Sequence, residues 1–528
     1  VLVAALALAA ACSKPPPSGD DGGFQPVYAI DAGFLFGAGT LAYPNEGGND
    51  AADWRTWEQI PLPIGDGGSD AGASDGGCRV LGCAQADDGP DHYSQFAQDL
   101  GLARGLGLNA YRFSLSWSRL RPSADGGYDP TALAHYHSVL DACQSNGMTP
   151  LVTLTDFSLP GWLQGVTSGQ SGATDADWVG GWRGLAGEVP GPDAGIVREF
   201  ARYAADMAAE YGGQVDLWIT LSSPSTLMNG AFVDGVYPPG AQNHLTDMRN
   251  ALINLAYANG AAYDAIHRND TVAVTDGGIA ALVGVSQELR DYLPADAGTT
   301  SDQVNQTSYI DNWLFLFAVV NGDLDTHFDG LYYHPGDGQG EGRGLLGLAG
   351  RVDFLGINFY GSAVVYGVDG GVQDAQGSSL TLPGTVGENP DPNVPHGDPP
   401  QSIAIDPMGF QSLLVLTHEL FPLSPIYVTE NGVADSAQPD TIRPAFVVQH
   451  VQAIQQAMAQ GVPVLGYFPW SLIDGYQWNN GFAPRYGLFH VDFTDPTRPR
   501  TATQGSVAYS QIVGALGVTP AIAAEWVK

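Results

Sequence analysis

Short β-rich runs alternate with stretches of helical spacing along most of this chain, and that alternation limits its fold more than any other feature. The candidate strands are Phe34–Gly37, Ala110–Ser114, Pro150–Leu154, Leu217–Leu221, Val272–Thr275, Phe354–Asn358, Ile426–Thr429 and Val464–Phe468. Between them, apolar residues recur at helical spacing over Thr131–Ser145, Ile196–Tyr211, Asp247–Arg268, Met408–His418 and Thr441–Gln460. Parallel strands need long crossovers, and an amphipathic helix supplies one, so the pattern predicts an α/β fold with a parallel sheet. Periodicity alone supports six or seven such units. Spread over so long a stretch, they favour an α/β barrel over a doubly wound sheet.

Two insertions interrupt the pattern. One is Gly65–Gly77, rich in Gly and Asp; the other runs from about Val364 to Gln401 and is rich in Gly, Pro and Asp. The first has a faint likeness to Gly/Asp calcium-binding repeats but lacks their regular period. Both are expected to be surface loops. Cys78 and Cys83 lie close together beside the first insertion, and an oxidising compartment would permit a local disulfide there. Cys143 falls on an apolar helical face and is expected to be a buried free thiol. The cysteine spacing points to no metal site.

The chain opens with an apolar run, Val1 to Ala11, too short to span a bilayer and typical of a signal peptide. It leads through Ala9-Ala10-Ala11 into Cys12, like a bacterial lipoprotein cleavage site in which Cys12 carries the lipid. With no initiator Met and no basic segment before the run, the start reads as truncated. Residues 1–12 are therefore expected to be a signal peptide, 13–33 a flexible tether rich in Pro, Gly and Asp, and 34–528 the barrel. The protein is then an exported bacterial lipoprotein of the cell envelope, held to the membrane only by its N-terminal lipid.

Asp and Glu number 56 against 20 Lys and Arg, a formal charge of −36, and the only lysines are Lys14 and Lys528. Such a polyanion repels phosphate backbones, which excludes nucleic acid as a partner. Acidic polysaccharides and anionic membrane surfaces are repelled in the same way. The charge is read as a solubility feature.

In a barrel of this kind the reacting groups cluster at the C-terminal ends of the strands. The seventh run, Pro425-Ile426-Tyr427-Val428-Thr429-Glu430-Asn431-Gly432, delivers a carboxylate at its end, followed by an Asn-Gly expected to turn the chain. A carboxylate at a barrel mouth suits covalent catalysis at an anomeric carbon. By itself, the motif fits an exposed loop Glu equally well.

This segment resembles the I-T-E-N-G nucleophile motif of glycoside hydrolase family 1, the β-glucosidase-like enzymes. The remaining matches fall in the family's order. Phe34-Leu35-Phe36-Gly37 through Tyr43 and Glu46-Gly47 resembles its first strand, and Tyr111-Arg112-Phe113-Ser114-Leu115-Ser116-Trp117-Ser118-Arg119 its second. Asp353-Phe354-Leu355-Gly356-Ile357-Asn358-Phe359-Tyr360 resembles the sixth. Gly466-Tyr467-Phe468-Pro469-Trp470-Ser471-Leu472-Ile473-Asp474 and Arg485-Tyr486-Gly487-Leu488 resemble the eighth and its loop. The likeness runs from about Phe34 to Asp495 and raises the strand count to eight, which implies an α/β fold of a single (β/α)8 TIM barrel with loop insertions.

The resemblance implies roles. Glu430 takes the nucleophile's place, Arg112 and Tyr360 flank it and keep it ionised and aimed, and Asn358 orients the same region. Trp470 is implied as a platform for a sugar ring and Trp478 as a second wall. A carbohydrate or glycoside is the implied ligand, with no cofactor and no metal.

The pattern also departs from the family. Its W-x-T-x-N-E-P is here Trp218-Ile219-Thr220-Leu221-Ser222-Ser223-Pro224, so Ser222 replaces the Asn at the sugar 2-hydroxyl and Ser223 replaces the acid/base Glu. A serine hydroxyl is no general acid near neutral pH, and losing one costs about 10²–10⁴-fold in rate. The family's T-L-x-H-W-D-L-P becomes Thr153-Leu154-Thr155-Asp156-Phe157-Ser158-Leu159-Pro160. Its sugar-binding His is therefore Asp156, with Phe157 next to it. Pro44 replaces a sugar-binding Gln, and Gln477 a sugar-binding Glu.

Three readings follow. One is a retaining β-glycosidase of altered specificity, with the acid dispensed with, as in the family's plant myrosinases, or supplied from elsewhere. Asp156 is the nearest substitute, though it fits a sugar-hydroxyl acceptor better. Another is a catalytically silent, surface carbohydrate-binding barrel. The third is a transglycosidase. The first is preferred because Glu430, Arg112, Asn358 and Tyr360 persist together. No H-E-x-x-H, phosphate-loop or G-x-S-x-G motif competes.

Overall fold

The structure, a computed structural model, describes residues 30–61, 77–166, 178–275, 278–332, 334 and 341–527. The apolar leader, Cys12 and most of both the 13–33 tether and the Gly65–Gly77 insertion lie outside the described residues. So does Lys528.

Eight parallel strands form the barrel wall: β1 (Leu35–Phe36), β2 (Ala110–Ser114), β3 (Thr149–Thr155), β4 (Leu217–Ser222), β5 (Leu282–Pro294), β6 (Phe354–Gln373), β8 (Ile426–Asn431) and β9 (Val464–Pro469). A further strand, β7 (Thr381–Glu388), pairs antiparallel with the far end of β6. The hydrogen-bonded order runs β1-β9-β8-β6-β5-β4-β3-β2. A parallel bridge between Gly39 and Arg112 brings the two ends together, with Thr40 N and Arg112 N bonded to Arg112 O and Ala38 O. Closure leaves the wall without an edge. The barrel interior is filled by Ala110, Leu151, Leu217, Ile219, Phe354, Tyr427 and Phe468, contributed by six strands. These side chains form a floor under the site.

The helices have local causes. The helix Pro130–Ser145 begins where Asp129 accepts hydrogen bonds from Thr131 N and Ala132 N, with Pro130 in the first turn, where its missing N–H is no loss. The helix Gly195–Tyr211 buries Ile196, Val197, Phe200, Tyr203, Ala204, Met207, Ala208 and Tyr211, an i, i+3/i+4 stripe. Removing one large member, Phe200→Ala, would cost about 3–5 kcal/mol through lost burial and the cavity left behind. The helices Leu245–Asn269, Pro407–Leu420 and Arg443–Ala459 extend past or fall within two residues of the expected limits.

Three expectations are corrected. Val272–Thr275 is not a strand; Val272 and Val274 are exposed, and the fifth strand is Leu282–Pro294. That strand presents Gly284, Ser286, Glu288 and Arg290 at alternate positions, so its apolar signal is weak. The Val364–Gln401 insertion is not a plain loop. β6 continues to Gln373 and folds back as β7, so much of the segment is a twisted hairpin. Gly432 does not turn the chain with a positive φ. It is small because a Cβ there would sit 2.4 Å from the Trp470 carbonyl. Cys78 and Cys83 are joined, with Cα atoms 5.3 Å apart, and Cys143 is a buried free thiol.

Candidate active site

Glu430 is delivered by β8, whose six residues are all buried. Asn431 fixes the strand end: its Nδ2 donates to Phe359 O at 2.6 Å and its Oδ1 accepts from Tyr467 OH at 2.9 Å. These bonds tie β8 to both neighbours just past the carboxylate. Glu430 Oε1 then accepts from Arg112 Nη1 at 2.5 Å, and Oε2 from Tyr360 OH at 2.6 Å. Both oxygens are thereby held by donors from different strands. Arg112 is fully buried and also donates to Thr429 O, Ser222 Oγ and Thr153 Oγ1. A charge-assisted pair whose guanidinium is fixed by three further hydrogen bonds is oriented as well as attractive. Burial, then the Glu430 carboxylate, pushes the Tyr360 phenol well above its ordinary pKa, so it remains a donor.

Asn358 lies on β6 beside Glu430 in the register. It does not touch the carboxylate. Its Oδ1 accepts from Thr429 Oγ1 at 2.6 Å and its Nδ2 donates to Ser223 Oγ at 2.9 Å. Asn358 thus links the strand that carries Glu430 to the end of β4. Ser223 itself stands in the left-handed region, φ +44°, at the start of the helix Pro224–Phe232. A non-glycine residue there is strained, and such strain concentrates at functional sites.

Glu430, Tyr360 and Ser223 line an inner cavity of about 120 Å³ together with Asp156, Phe157, Ser222, Trp470, Gln477 and Trp478, while Arg112 and Asn358 stand behind its wall. Every candidate substrate-binding residue from the sequence is there. Trp470 Nε1 donates to Gln477 Oε1 at 3.3 Å. Trp478 is wedged among Tyr43, Trp54 and Phe157, with its ring parallel to that of Tyr43. Both indoles are mostly buried, so each packs in a core and also offers a face to the cavity. Pro44 does not line the cavity; Leu41 does, and Pro44 is buried in the helix Ala42–Glu46.

Asp156 is buried and heavily engaged. Its Oδ1 accepts from Ser158 N and Oγ, both at 2.8 Å, and its Oδ2 from Ser114 Oγ at 3.1 Å. Burial raises its pKa despite these donors. Nearby Asp53, on which Leu159 N and Gln164 Nε2 converge, is pushed by burial to about 7.

Residues from β5 complete the site, and sequence reasoning missed them. Glu288 and Arg290 line the inner cavity and an outer one of about 280 Å³, as do Thr226 and Tyr237. Arg290 Nε donates to Glu288 Oε1 at 2.8 Å and its Nη1 to Glu388 Oε1 at 3.1 Å; Thr226 Oγ1 donates to Glu288 Oε2 at 3.0 Å. The alternation of Ser286, Glu288 and Arg290 was the available signal, and it was obscured by placing the fifth strand ten residues too early.

The family model for glycosyl hydrolase family 1 matches residues 28–517. The human cytosolic beta-glucosidase is 30% identical over 516 residues, covering 92% of this chain and 98% of that protein. A 6-phospho-beta-galactosidase of Clostridium acetobutylicum is 27% identical, covering 88% and 93%. Among solved structures, the family 1 β-glucosidase of Thermotoga maritima superposes with a TM-score of 0.74 at 25% identity, covering 93% of this chain and all of that one. The barrel, its order of motifs and the matched length agree: the chain belongs to glycosyl hydrolase family 1.

Proposed function

We propose that this protein is a retaining β-glycosidase of altered sugar specificity, with Glu430 as nucleophile and Ser223 in place of the family's acid/base Glu. The observation that carries the reading is the grip on Glu430 by Arg112 and Tyr360, in a cavity walled by Trp470 and Trp478. A carboxylate with both oxygens held and one side open to a cavity suits attack on an anomeric carbon. The indole faces suit the C–H face of a pyranose. Asp156, Ser222 and Gln477 alter the polar contacts to the sugar, and Asp156 is read as a hydroxyl acceptor. Its oxygens are turned to Ser158 and Ser114 and it lines only the inner cavity. With serine at 223, leaving-group protonation is weak, and activated glycosides are the preferred substrates.

The test uses aryl β-glycosides of graded leaving-group ability, with and without azide. Turnover of the activated members and its loss in Glu430→Gln, in either condition, support the reading. No turnover of any activated glycoside, with wild type and Glu430→Gln alike, rejects it. The changed contacts at Asp156, Ser222 and Gln477 favour a second reading, a silent carbohydrate-binding barrel. Sugar binding of equal affinity in wild type and Glu430→Gln, without turnover, would then replace the first.

The export route is proposed on the same footing. A small-residue run before Cys12 supports lipidation there and residence in the cell envelope. Among the described residues no helix is long and apolar enough to cross a membrane. Mass spectrometry of the N-terminal peptide from the native host tests this, and an unmodified Cys12 rejects it.

A further inference from the structure

Resting on the glycosidase reading above, we propose that Glu288 is the general base that activates water in the second half of the reaction. Three observations place it. Glu288 and Glu430 are both register partners of Asn358, from β5 on one side and β8 on the other. Their Cα atoms are therefore about two strand spacings apart, roughly 10 Å. Both carboxylates line the inner cavity, and that separation leaves room for one reacting centre between them. Second, Glu288 lines both cavities, whereas Glu430, Ser223 and Asp156 line only the inner one. A glycoside with its sugar over Trp470 and its aglycone in the outer cavity passes its scissile bond by Glu288. Third, Glu288 is ion-paired with the Arg290 guanidinium at 2.8 Å, a partner suited to a carboxylate, the form a base requires and an acid does not.

The chemistry divides accordingly. In the first step a Glu430 oxygen bonds the anomeric carbon and the glycosidic C–O bond breaks. An activated aglycone leaves as its anion. In the second step water bonds the anomeric carbon, Glu288 takes its proton, and Glu430 leaves as a carboxylate. The free sugar is released, and the proton on Glu288 passes to solvent or to the departed aglycone.

Glu288→Gln keeps the size and hydrogen-bonding reach of the side chain. Its expected signature, with a 2,4-dinitrophenyl glycoside, is a burst of phenol close to one equivalent of enzyme. A steady state slowed about 10²-fold or more should follow. Azide, which needs no base, should restore turnover and yield the β-glycosyl azide. A purely structural role would slow both phases and would not respond to azide. A steady-state rate equal to wild type, or no rescue by azide while the variant keeps its wild-type melting temperature, overturns the proposal. Because wild-type turnover and its loss in Glu430→Gln are measured alongside, failure at Glu288 is distinct from failure of the glycosidase reading.

A separate cluster points to a transition-metal site. The segment Asp325 to Glu341 is closed at its base by a bridge between Leu324 and Gly342. Within it, the buried Glu341 carboxylate lies between two imidazoles: Oε2 is 3.2 Å from His327 Nδ1 and 3.1 Å from His334 Nδ1. The three ligand atoms lie within 4.8 Å of one another. A tetrahedral Zn²⁺ with bonds of about 2.0–2.1 Å separates its ligands by about 3.3–3.4 Å, close to these distances. The far nitrogen of His334 faces Asp329 Oδ2 at 3.2 Å, the carboxylate–imidazole support usual behind a metal ligand. The geometry points to a Zn²⁺-type ion held by His327, His334 and Glu341, against the absence of a metal expected from sequence motifs. Its ligands are too widely spaced to match a short motif. Calorimetric titration of the chelator-treated full chain with Zn²⁺ should give one saturable equivalent, with a raised melting temperature. His334→Ala and Glu341→Gln should each weaken binding at least tenfold, and Mg²⁺ should produce no heat. No saturable binding, or wild-type affinity in both variants, overturns the assignment.

Discussion

The two sides of the barrel mouth are built on different terms. On the side of β2, β6 and β8, Glu430 is held by a buried guanidinium and a phenol, and Asn358 and Asn431 lock the backbone around it. On the side of β3, β4 and β5, hydroxyls line up instead. Ser222 Oγ receives Arg112 Nη2, Ser286 Oγ donates to Ser222 Oγ at 3.3 Å, and Ser223 Oγ takes the Asn358 amide. The carboxylates on this side, Asp156 and Glu288, stand at other positions with their own partners. On the proposed reading, the aimed carboxylate that a nucleophile needs has been kept. Proton transfer needs only a group of suitable pKa within reach, so its seat can move between strands.

This contrast has sharp consequences. Glu430→Gln should lower turnover of an activated aryl glycoside by on the order of 10⁴-fold or more, as for other nucleophile removals. Steady-state kinetics on the folded variant checks it; a tenfold loss or less would place the chemistry on the other side. Arg112→Met leaves Glu430 buried beside an apolar chain. Breaking a buried pair from one side costs about 3–5 kcal/mol, visible in urea unfolding. A loss under 1 kcal/mol would mean that the grip is weaker than its geometry.

Ser223→Glu tests the opposite side. It should raise kcat/KM for poor leaving groups by about 10²-fold, the low end of general acid catalysis, and change activated substrates little. An equal effect on both substrate classes would speak against a proton-transfer deficit. The smallest effect concerns Asp53, which supports the β3 loop. Its folded pKa of about 7 lies above the ordinary 3.8. Between those values the unfolded chain is ionised while the native state keeps the proton. Its stabilising contribution is therefore full below about pH 4 and declines as pH rises to about 7. Melting temperatures of Asp53→Asn across pH 4–8 should lack this part of the decline. A slope identical to wild type would remove Asp53 as its source.

Much of the fold is legible in the amino-acid order. Short β-rich runs bounded by turn residues mark strands, and seven of the eight carry that mark. The fifth does not, because its inward positions are Gly284, Ser286, Glu288 and Arg290, while a more β-branched run ten residues earlier lies exposed on the surface. The inner cavity is legible for a similar reason: long motifs at strand ends tie residue identity to position. Trp470, Trp478, Gln477, Asp156 and Phe157 all stand in it.

Sequence alone determined which side chains end the strands, and hence the family and the carboxylate, Glu430, proposed as nucleophile. It also determined that serine stands at 222 and 223. Only the tertiary structure decided which carboxylate shares the inner cavity with Glu430 from β5. Glu288 lies 142 residues from Glu430 in the chain, and no local pattern links them. They become neighbours because β5 and β8 flank β6, and barrel closure turns alternate side chains of each strand into one shared space.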